Sequence, residues 1–342
     1  MSFIGGFFGL ELPPAAAGGA LAGFWGMPPD PALTYANGRS ALAALIASVK
    51  PSTLWLPAYL CRSLVAAAEA THTTVSYFAV DDSLQPDTPF LESAARSGEM
   101  ILAVDYFGQP PGAEFLAFAR RRGDLLFVED ASQAFDTGAP QWGRWCLRSP
   151  RKLVGVPDGG FLCPAGGIQD AERSVAAADL NPYQAACLRF EDEHEQANAA
   201  WHAANQHREG AERVARRRMS RLSRELLQRL PIEPIAARRR ANFRILAGRL
   251  DELMFPPVRQ ASSVPFGFPV RVARELRSRL CATLTAKGIF PAIHWSDLPS
   301  PPTFLAAHGL ASELLTLPCD HRYDADAMLR MADIVRDTAA RP

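Results

Sequence analysis

Short apolar runs that alternate with helical segments fill the first half of this 342-residue chain, and they restrict its fold more than any other feature. Each run has the length of one strand and no polar face, as strands do when helices cover both sides of a parallel sheet. The predicted strands are 53–56, 75–80, 100–104 and 125–128, and the predicted helices are 41–49, 64–70 and 115–122. The pattern predicts an α/β fold with a mostly parallel sheet.

Acidic residues follow two of these predicted strands. Asp105 comes directly after the third strand, and Glu129 and Asp130 come directly after the fourth. In parallel α/β sheets, ligands bind beyond the carboxyl ends of the strands. We therefore expect a functional site at this edge of the sheet. The ordinary alternative for Asp130 is that it caps the start of the next helix.

The second half of the chain has a different pattern. Residues 191–230 lack proline and are dense in charge, which predicts long helices that bridge to a second domain and end at Pro231 and Pro234. Further strands are predicted at 266–272 and 289–295, and further helices at 276–287 and 325–338. These elements indicate a smaller α+β domain. We therefore divide the chain into a large domain, 1–215, and a small C-terminal domain, 216–342.

Composition and charge argue against several classes of protein. Lys plus Arg and Asp plus Glu both number 36, so no overall positive charge favours nucleic acid or an anionic membrane. No run reaches the ~18 apolar residues that span a bilayer, and residues 1–27 lack the basic start of a signal peptide. The six cysteines are scattered without the spacing of metal ligands, so we expect no metal site. These features predict a soluble cytoplasmic protein.

The basic residues include only three lysines, Lys50, Lys152 and Lys287. Arginine cannot replace them where a deprotonated amine is needed, because the guanidinium group stays charged. Lys50 precedes Pro51 and Lys287 precedes Gly288, which are helix-end positions where a cation complements the helix dipole. Lys152 lies instead in an irregular segment that leads into glycines, where a Schiff-base lysine has room for a cofactor.

Other residues suit pyridoxal 5′-phosphate (PLP), a cofactor that such a lysine can hold. Asp130 can pair with a protonated pyridine nitrogen and keep the ring an electron sink, and Gln133 can donate to a ring hydroxyl. Gly38, Arg39 and Ser40 open a predicted helix whose free backbone N–H groups can hold a phosphate. For these three residues an ordinary helix cap is the alternative.

In these motifs the chain resembles the DegT/StrS-type sugar aminotransferases, which are PLP-dependent transferases of fold type I. The matching stretches are Asn37-Gly38-Arg39-Ser40-Ala41-Leu42, Leu56-Pro57-Ala58-Tyr59, Tyr106-Phe107-Gly108-Gln109-Pro110, Glu129-Asp130-Ala131-Ser132-Gln133-Ala134, Lys152 with the downstream Asp158-Gly159-Gly160, and Leu317-Pro318. The resemblance spans about residues 5–335 and is specific in the large domain. It implies the fold type I architecture, with a small α+β domain after the large one.

The resemblance also implies an activity and roles for single residues. Lys152 would form a Schiff base with PLP and carry the proton during transfer of the amino group. Asp130 would pair with the pyridine nitrogen, and Gln133 would contact the ring oxygen. The implied phosphate ligands are Gly38, Arg39 and Ser149. The amino group would pass from an amino acid, expected to be glutamate, to a keto acceptor such as a nucleotide-linked keto sugar, within a homodimer.

The chain departs from the family pattern in three places. Cys61 occupies the position of an aromatic residue that stacks on the cofactor, so Tyr59 is the alternative stacking residue. Ser149 lies closer to Lys152 than the phosphate-binding serine of the family does. Residues 181–183 match poorly the motif that reaches the neighbouring subunit. Two alternatives therefore stay open: a PLP-fold binding or regulatory protein without transaminase activity, and a PLP-dependent sugar dehydratase.

The remaining candidate residues have ordinary interpretations. Three histidines of the charged stretch lack the spacing of a metal-binding helix face and are expected to be solvated: His194, His202 and His207. The arginine triplets 216–218 and 238–240 lack interleaved aromatic residues and predict solvated faces. The pair His294-Trp295 follows a predicted strand of the small domain, where a position at the edge of the core is the expected one.

Overall fold

A computed structural model of the chain describes residues 3–13, 26–135, 142–164, 166–175, 181–192, 198–255 and 264–341. Its strands are β1 (Ile4–Gly5), β2 (Thr34–Tyr35), β3 (Thr53–Pro57), β4 (Thr74–Phe78), β5 (Met100–Val104), β6 (Leu126–Asp130), β7 (Trp145–Arg148), β8 (Gly160–Cys163), β9 (Phe268–Arg271), β10 (Ile289–Phe290) and β11 (Leu314–Leu317). Its α-helices are α1 (Gly38–Val49), α2 (Arg62–Ala70), α3 (Thr88–Ala94), α4 (Ala113–Arg121), α5 (Asn181–Glu191), α6 (Asn198–Ala211), α7 (Arg221–Leu227), α8 (Ile232–Leu250), α9 (Arg274–Ala286), α10 (Leu305–Glu313) and α11 (Ala325–Ala339).

Seven strands of the first half form one sheet in the order β2-β8-β7-β6-β5-β3-β4. The neighbours from β7 to β4 pair in parallel, whereas β8 pairs antiparallel with both β7 and β2. β5 is buried along its whole length, as the absence of a polar face predicts. The structure therefore confirms the α/β fold with a mostly parallel sheet.

Helix α1 packs on this sheet and brings its N-terminus to the edge where the parallel strands end. The side chain of Asn37 accepts a hydrogen bond from the amide of Ser40 at 3.0 Å and caps the first turn. Lys50 ends the helix in a left-handed conformation with φ 54°, and Pro51 follows. Between these ends most of the apolar side chains are buried, from Ala41 to Ile46.

The long helices predicted for 191–230 are wrong in their extent. The segment between α6 and α7 has no helix, and Arg217 and Arg218 form isolated β-bridges with Val175 and Tyr35 instead. The longest helix, α8, begins where the two prolines had predicted an end. A proline fits the first turn of a helix, because the amide it lacks has no partner there. Pro231 precedes α8 and Pro234 lies in its first turn.

The C-terminal part has its own apolar core. β9 and β11 pair antiparallel, and β10 pairs in parallel with β1 from the start of the chain. Residues of α8, α9 and α11 pack on these strands, among them Leu246, Leu284 and Met331. The strand predicted for 289–295 is confined to β10. The boundary between residues 215 and 216 stays a prediction, since Met219 and Ile235 pack with Leu153 and Phe161 in another cluster of buried residues.

The structure also describes the helices, the cysteines and two of the histidines that the sequence analysis considered. Of the helices that the described residues form, none combines the length and the apolar character needed to cross a membrane. None of the six cysteines, all of which lie in the described ranges, forms a disulfide bond, and Cys146 and Cys319 are buried. His194 lies outside the described residues, whereas His202 and His207 are exposed on α6.

Candidate active site

Asp130 ends β6 at the carboxyl edge of the sheet. Its side chain is buried, with 5% of its surface exposed. The amide of Ser132 donates to Oδ1 of Asp130 at 3.0 Å. Within the described parts of the chain, Oδ2 of Asp130 has no hydrogen-bond donor. Since buried polar groups in folded proteins are nearly always paired, this oxygen is available to a positively charged or N–H-bearing ligand.

Gln133 lies in the turn that follows β6, and its amide has a defined orientation. Oε1 of Gln133 accepts a hydrogen bond from the backbone amide of Phe107 at 2.8 Å. The Nε2 group, which carries two donor hydrogens, is therefore the end of the amide that remains available. This orientation suits the predicted donation from Gln133 to a ring oxygen.

The other two acids at this edge have partners within the fold. Asp105 and Glu129 are both almost completely buried. The indole N–H of Trp142 donates to Asp105 at 3.1 Å, and the backbone amide of Trp142 donates to Glu129 at 3.1 Å. Burial and the neighbouring Glu129 raise the pKa of Asp105 well above its usual value. These two acids therefore stabilise the sheet edge beside Asp130, and neither presents an unpartnered oxygen to a ligand.

A small polar cradle forms where α1 begins and β7 ends. Gly38 lies against Ser149, and a Cβ on Gly38 would be 3.8 Å from that of Ser149. Ser149 is buried, with 4% of the residue exposed, and its hydroxyl has no hydrogen-bond partner within the described ranges. The Asn37 side chain already binds the Ser40 amide. The amides of Gly38 and Arg39 are thus the first-turn N–H groups that remain for an anion.

Gly160 makes this cradle sterically possible. A Cβ on Gly160 would lie 2.2 Å from the carbonyl carbon of Asn37 and 2.3 Å from the nitrogen of Gly38. Gly159 has φ +135°, a conformation that side chains oppose. The two glycines therefore let β8 approach the start of α1, which is a more specific reason than the room for a cofactor predicted from the sequence.

The side chains of Arg39 and Ser40 are engaged elsewhere. The Ser40 hydroxyl donates to Oδ1 of Asn37 at 2.8 Å and accepts from the Ala215 amide at 3.1 Å. The Arg39 guanidinium lies 3.3 Å from Glu212 and also donates to its carbonyl oxygen. Their predicted contribution to phosphate binding can therefore come from the start of the helix, while the part played by either side chain stays a prediction.

Three arginines form ion pairs with Glu212 beside the cradle. Its carboxylate lies 3.3 Å from Arg39, 3.4 Å from Arg151 and 3.7 Å from Arg208. Burial and the charge of Arg151 lower the pKa of Arg208 to about 10, so its guanidinium group stays charged at neutral pH. Glu209 also lies 3.6 Å from Arg208, so the three arginines and two acids leave one excess positive charge, which favours an anion nearby. Because these residues are far apart in the sequence, the sequence did not predict the cluster.

Lys152 ends a 3-10 turn, Pro150–Lys152, directly after β7. Its backbone amide donates to the carbonyl of Ser149 at 3.1 Å, which ties it to the cradle. Downstream, the buried Asp158 accepts hydrogen bonds from the amide of Ser220 at 2.9 Å and from the hydroxyl of Ser223. Asp158 therefore anchors the loop that follows Lys152.

The other two lysines stand where the sequence predicted them. Lys50 follows the last residue of α1 and Lys287 follows the last residue of α9. Lys152 is thus the lysine whose position at the sheet edge suits cofactor chemistry.

Tyr59 and Cys61 were the candidates for stacking on a ring. Tyr59 is completely buried, its ring centroid lies 5.7 Å from Tyr106 and 5.5 Å from Trp295, and its hydroxyl has no hydrogen-bond partner. Burial raises the pKa of Tyr59, so the hydroxyl stays protonated. Cys61 precedes α2, and its Sγ lies 2.8 Å from Oγ of Ser63. The aromatic surface here therefore comes from Tyr59 and Trp295.

Two basic residues were assigned ordinary surroundings by the sequence, and one of them contributes to the site. Arg239 is buried and not solvated, and it donates to the carbonyl of Leu153 at 2.5 Å and to that of Phe266 at 3.2 Å. Burial, and secondarily the charge of Lys152, lowers the pKa of His294 to about 3. His294 is half-buried and its Nδ1 lies 3.0 Å from Oγ1 of Thr316, which agrees with the expected position at the edge of the core.

The fold of this chain is similar to that of several solved structures. No model of a protein family and no curated protein matches the sequence. Solved structures with a similar fold are sugar aminotransferases. DesV of S. venezuelae, solved in complex with a ketimine intermediate, is 20% identical over 91% of this chain and 85% of its own, with a TM-score of 0.65.

Two further solved structures have a similar fold. A DegT DnrJ EryC1 StrS aminotransferase from Brucella abortus is 18% identical over 90% of this chain and 86% of its own, with a TM-score of 0.62. NtdA from Bacillus subtilis, solved with its bound cofactor PMP, is 14% identical over 90% and 73%, with a TM-score of 0.62. The fold implied by the sequence resemblance is thereby confirmed.

Proposed function

We propose that this protein is a PLP-dependent aminotransferase of the DegT/StrS type. It transfers an amino group from an amino acid, expected to be glutamate, to a keto acceptor, expected to be a nucleotide-linked keto sugar. It acts as a homodimer in the cytoplasm. The fold shared with sugar aminotransferases and the bound PMP of one such neighbour support this proposal.

The observation that carries the proposal is a set of available polar atoms at one edge of the sheet. They are Oδ2 of Asp130, Nε2 of Gln133 and the hydroxyl of Ser149, and none has a hydrogen-bond partner among the described residues. An acceptor, a donor and an anion site of this kind match the pyridine nitrogen, ring oxygen and phosphate of PLP. The residues present therefore fit the cofactor.

Each group would then have one task. PLP, when bound, supplies an electron sink for the carbon that loses a proton. The Lys152 amine holds the cofactor covalently and, once released, moves the proton as general base and acid. Asp130 holds a proton on the pyridine nitrogen. Ser149 and the start of α1 bind the phosphate, with the arginine cluster around Glu212 adding to the attraction.

Cofactor capture tests the first half of the proposal. Addition of PLP to the purified protein should give the visible absorbance of a lysine-bound cofactor, and Lys152→Ala should abolish it. Lys287→Ala is the matched control, because Lys287 ends α9 and should leave the absorbance unchanged. A wild-type protein that gives no such absorbance would contradict the proposal.

Substrate addition tests the second half. Glutamate should remove the visible absorbance by converting PLP to its amine form, and a keto sugar linked to a nucleotide should restore it. The Cys61 position, which lacks an aromatic ring, favours one alternative: a PLP-fold protein that binds without transamination. Absorbance that resists every amino donor would support that alternative, and a dehydrated sugar product would support a dehydratase. Light scattering after size exclusion tests the homodimer.

A further inference from the structure

Arg239 of helix α8 is one of the largest completely buried side chains among the described residues, with 1% of its surface exposed. It belongs to the arginine triplet that the sequence predicted to be a solvated face. A guanidinium group has five N–H donors and no acceptor, so a buried one needs oxygen atoms around it. Within the described ranges, the acceptors that serve Arg239 are backbone carbonyl groups.

The two arms of this guanidinium bind two different segments of the chain. Nη2 donates to the carbonyl of Leu153, the residue after Lys152, at 2.5 Å. Nη1 donates to the carbonyls of Pro265 and Phe266, each at 3.2 Å. Because the guanidinium group is planar and rigid, its two arms hold these carbonyls at a set separation. Arg239 therefore fixes the Lys152 turn relative to the segment that leads into β9.

The same guanidinium also contacts the turn that follows β6. Its central carbon lies 5.4 Å from the ring centroid of Phe135, and a cation at such a distance is attracted to the face of the ring. Phe135 comes two residues after Gln133, in the turn that begins at Asp130. One side chain thus reaches both turns of the candidate site, the Lys152 turn by a hydrogen bond and the other by an aromatic contact.

The Lys152 turn depends on a distant residue for its position. The amides of Leu153 and Val154 donate to the carbonyl of Pro150 at 2.8 Å and 3.1 Å. Such local hydrogen bonds set the shape of a turn, but they do not set its place relative to other segments. The bond from Arg239 joins the turn to a helix that lies 86 residues further along the chain.

We infer that Arg239 is a positioning residue for Lys152, because its guanidinium fixes the backbone of the Lys152 turn relative to the turn that carries Asp130 and Gln133. The amine of Lys152 has to meet the group that these two side chains hold. Misplacing a reacting group by about 1 Å slows a reaction by about 10²-fold. The inference rests on the proposed role of Lys152 in holding PLP.

Hydrogen exchange tests the contact in the protein without cofactor. The amides of Leu153 and Val154 are protected while the Lys152 turn is held in place. Arg239→Met keeps an unbranched side chain and removes the donors. We expect both amides to exchange roughly tenfold faster in this variant, the effect of losing one hydrogen bond. The buried amides of β5 report unfolding of the whole protein and separate it from loosening of the turn.

Arg189→Met is the matched control for this experiment. Arg189 also donates to two backbone carbonyls, those of Gly5 and Phe7, and its guanidinium also lies over an aromatic ring. Because these carbonyls belong to the N-terminal segment, this variant should leave exchange in the Lys152 turn unchanged. Arg239→Lys, which keeps the charge and loses the two-armed geometry, takes the place of Arg239→Met if that variant does not fold. Equal exchange in the wild type and the Arg239 variants overturns the inference.

The consequence for the reaction can be tested with PLP bound. We expect Arg239→Met to slow the reaction with the amino donor by about 10²-fold per bound cofactor, with the donor KM unchanged. Arg239→Lys should stay slower than the wild type by roughly tenfold, because one amine cannot replace the hydrogen bonds to both segments. Arg189→Met should react at the wild-type rate per bound cofactor. Counting the bound cofactor by its visible absorbance removes the effect of unfolded protein.

The inference and the proposed function fail in different ways. A wild-type protein that does not capture PLP contradicts the proposed function, whereas the exchange experiment needs no cofactor. A wild-type protein that captures PLP and reacts, together with Arg239→Met at the same rate per bound cofactor, contradicts the inference alone. An equal loss of rate in Arg239→Met and Arg189→Met also contradicts it, because a general loss of stability would then account for both.

Discussion

Two aspartates follow neighbouring parallel strands of the sheet, and their surroundings differ. Asp130, at the end of β6, accepts one hydrogen bond, from Ser132, and keeps one oxygen available. Asp105, directly after β5, is bonded to Trp142 and lies beside Glu129. Both are buried acids at the edge where ligands of parallel sheets bind. Position at the strand end therefore does not separate a ligand group from a structural one.

The difference lies in what surrounds each carboxyl group. The indole N–H of Trp142 donates a hydrogen bond to Asp105. Burial and the negative charge of Glu129 favour the protonated form of Asp105. Asp130 lacks such partners among the described residues, and one of its oxygens stays available to a cation. The same contrast holds for two serines of the cradle, since Ser40 is bonded on both sides and Ser149 has an available hydroxyl.

The largest expected effect tests the two aspartates against each other. Asp130→Asn should weaken PLP binding by roughly 30-fold or more, since loss of one partner of a buried charged pair costs about 2–5 kcal/mol. Asp105→Asn should change PLP binding much less, because an amide resembles the protonated carboxyl that the site already favours. Titration of the visible absorbance measures both affinities. Equal losses in the two variants would contradict the division of roles.

The second prediction concerns the pH dependence of stability. In the unfolded chain Asp105 releases its proton near pH 3.9, whereas its pKa is raised in the folded protein. The folded protein therefore holds this proton more tightly, and its stability falls as pH rises from about 4 through the raised pKa. Each unit of the shift contributes about 1.4 kcal/mol to the free energy of unfolding.

Urea unfolding of the wild type and Asp105→Asn at several pH values measures this dependence. The variant has no proton to lose at this position, so its stability relative to the wild type should increase between pH 5 and pH 8. Asp124, which is exposed and paired with Arg122, provides a control in Asp124→Asn. A difference between Asp105→Asn and wild type that does not vary with pH would show that Asp105 is ionised in the folded protein.

The contrast also shows what could be read from the sequence. Apolar runs predicted the parallel sheet, and local motifs selected Asp130, Gln133, Gly38 and Lys152 as candidate site residues, because each motif depends on neighbours in the chain. The long helix α8 was missed because Pro231 and Pro234 start a helix as well as end one.

The other contributors to the site depend on contacts between distant segments. The cluster around Glu212 joins residues 39, 151, 208 and 212, which lie in separate parts of the chain. Neither periodicity nor local spacing predicts contacts between such distant residues. The hydrogen-bond partners of a side chain also come from distant segments. The sequence therefore could not distinguish Asp105 from Asp130.

A smaller effect is expected at the cradle. Ser149→Ala should weaken PLP binding by about tenfold, the cost of one hydrogen bond to a charged group. Ser40→Ala should act first on stability, lowering the free energy of unfolding by about 1 kcal/mol, because both partners of its hydroxyl lie within the fold. Ser48→Ala is a control on the same helix, since Ser48 bonds to Gln169 away from the cradle. A larger loss of affinity in Ser40→Ala than in Ser149→Ala would reverse the comparison.

The smallest effect should come from the charge beside the cradle. Glu212→Gln leaves Arg39, Arg151 and Arg208 without their shared carboxylate. One unit of charge at a separation on the order of 10 Å, with an effective dielectric constant of about 40, changes the interaction with an anion by about 0.8 kcal/mol. PLP should therefore bind roughly fourfold more tightly at low salt, and the gain should shrink as salt screens the charges.

The same substitution should lower the free energy of unfolding, because three arginines then repel one another in a half-buried cluster. Glu225→Gln is the matched control, since Glu225 pairs with Arg229 on the exposed face of α7 and should leave PLP affinity unchanged. Weaker PLP binding in Glu212→Gln would mean that Glu212 orients the arginines toward the phosphate and does not merely offset their charge. Arg39 would then belong with Asp130 among the ligand groups, and the division between partnered and available side chains would have to be redrawn at the cradle.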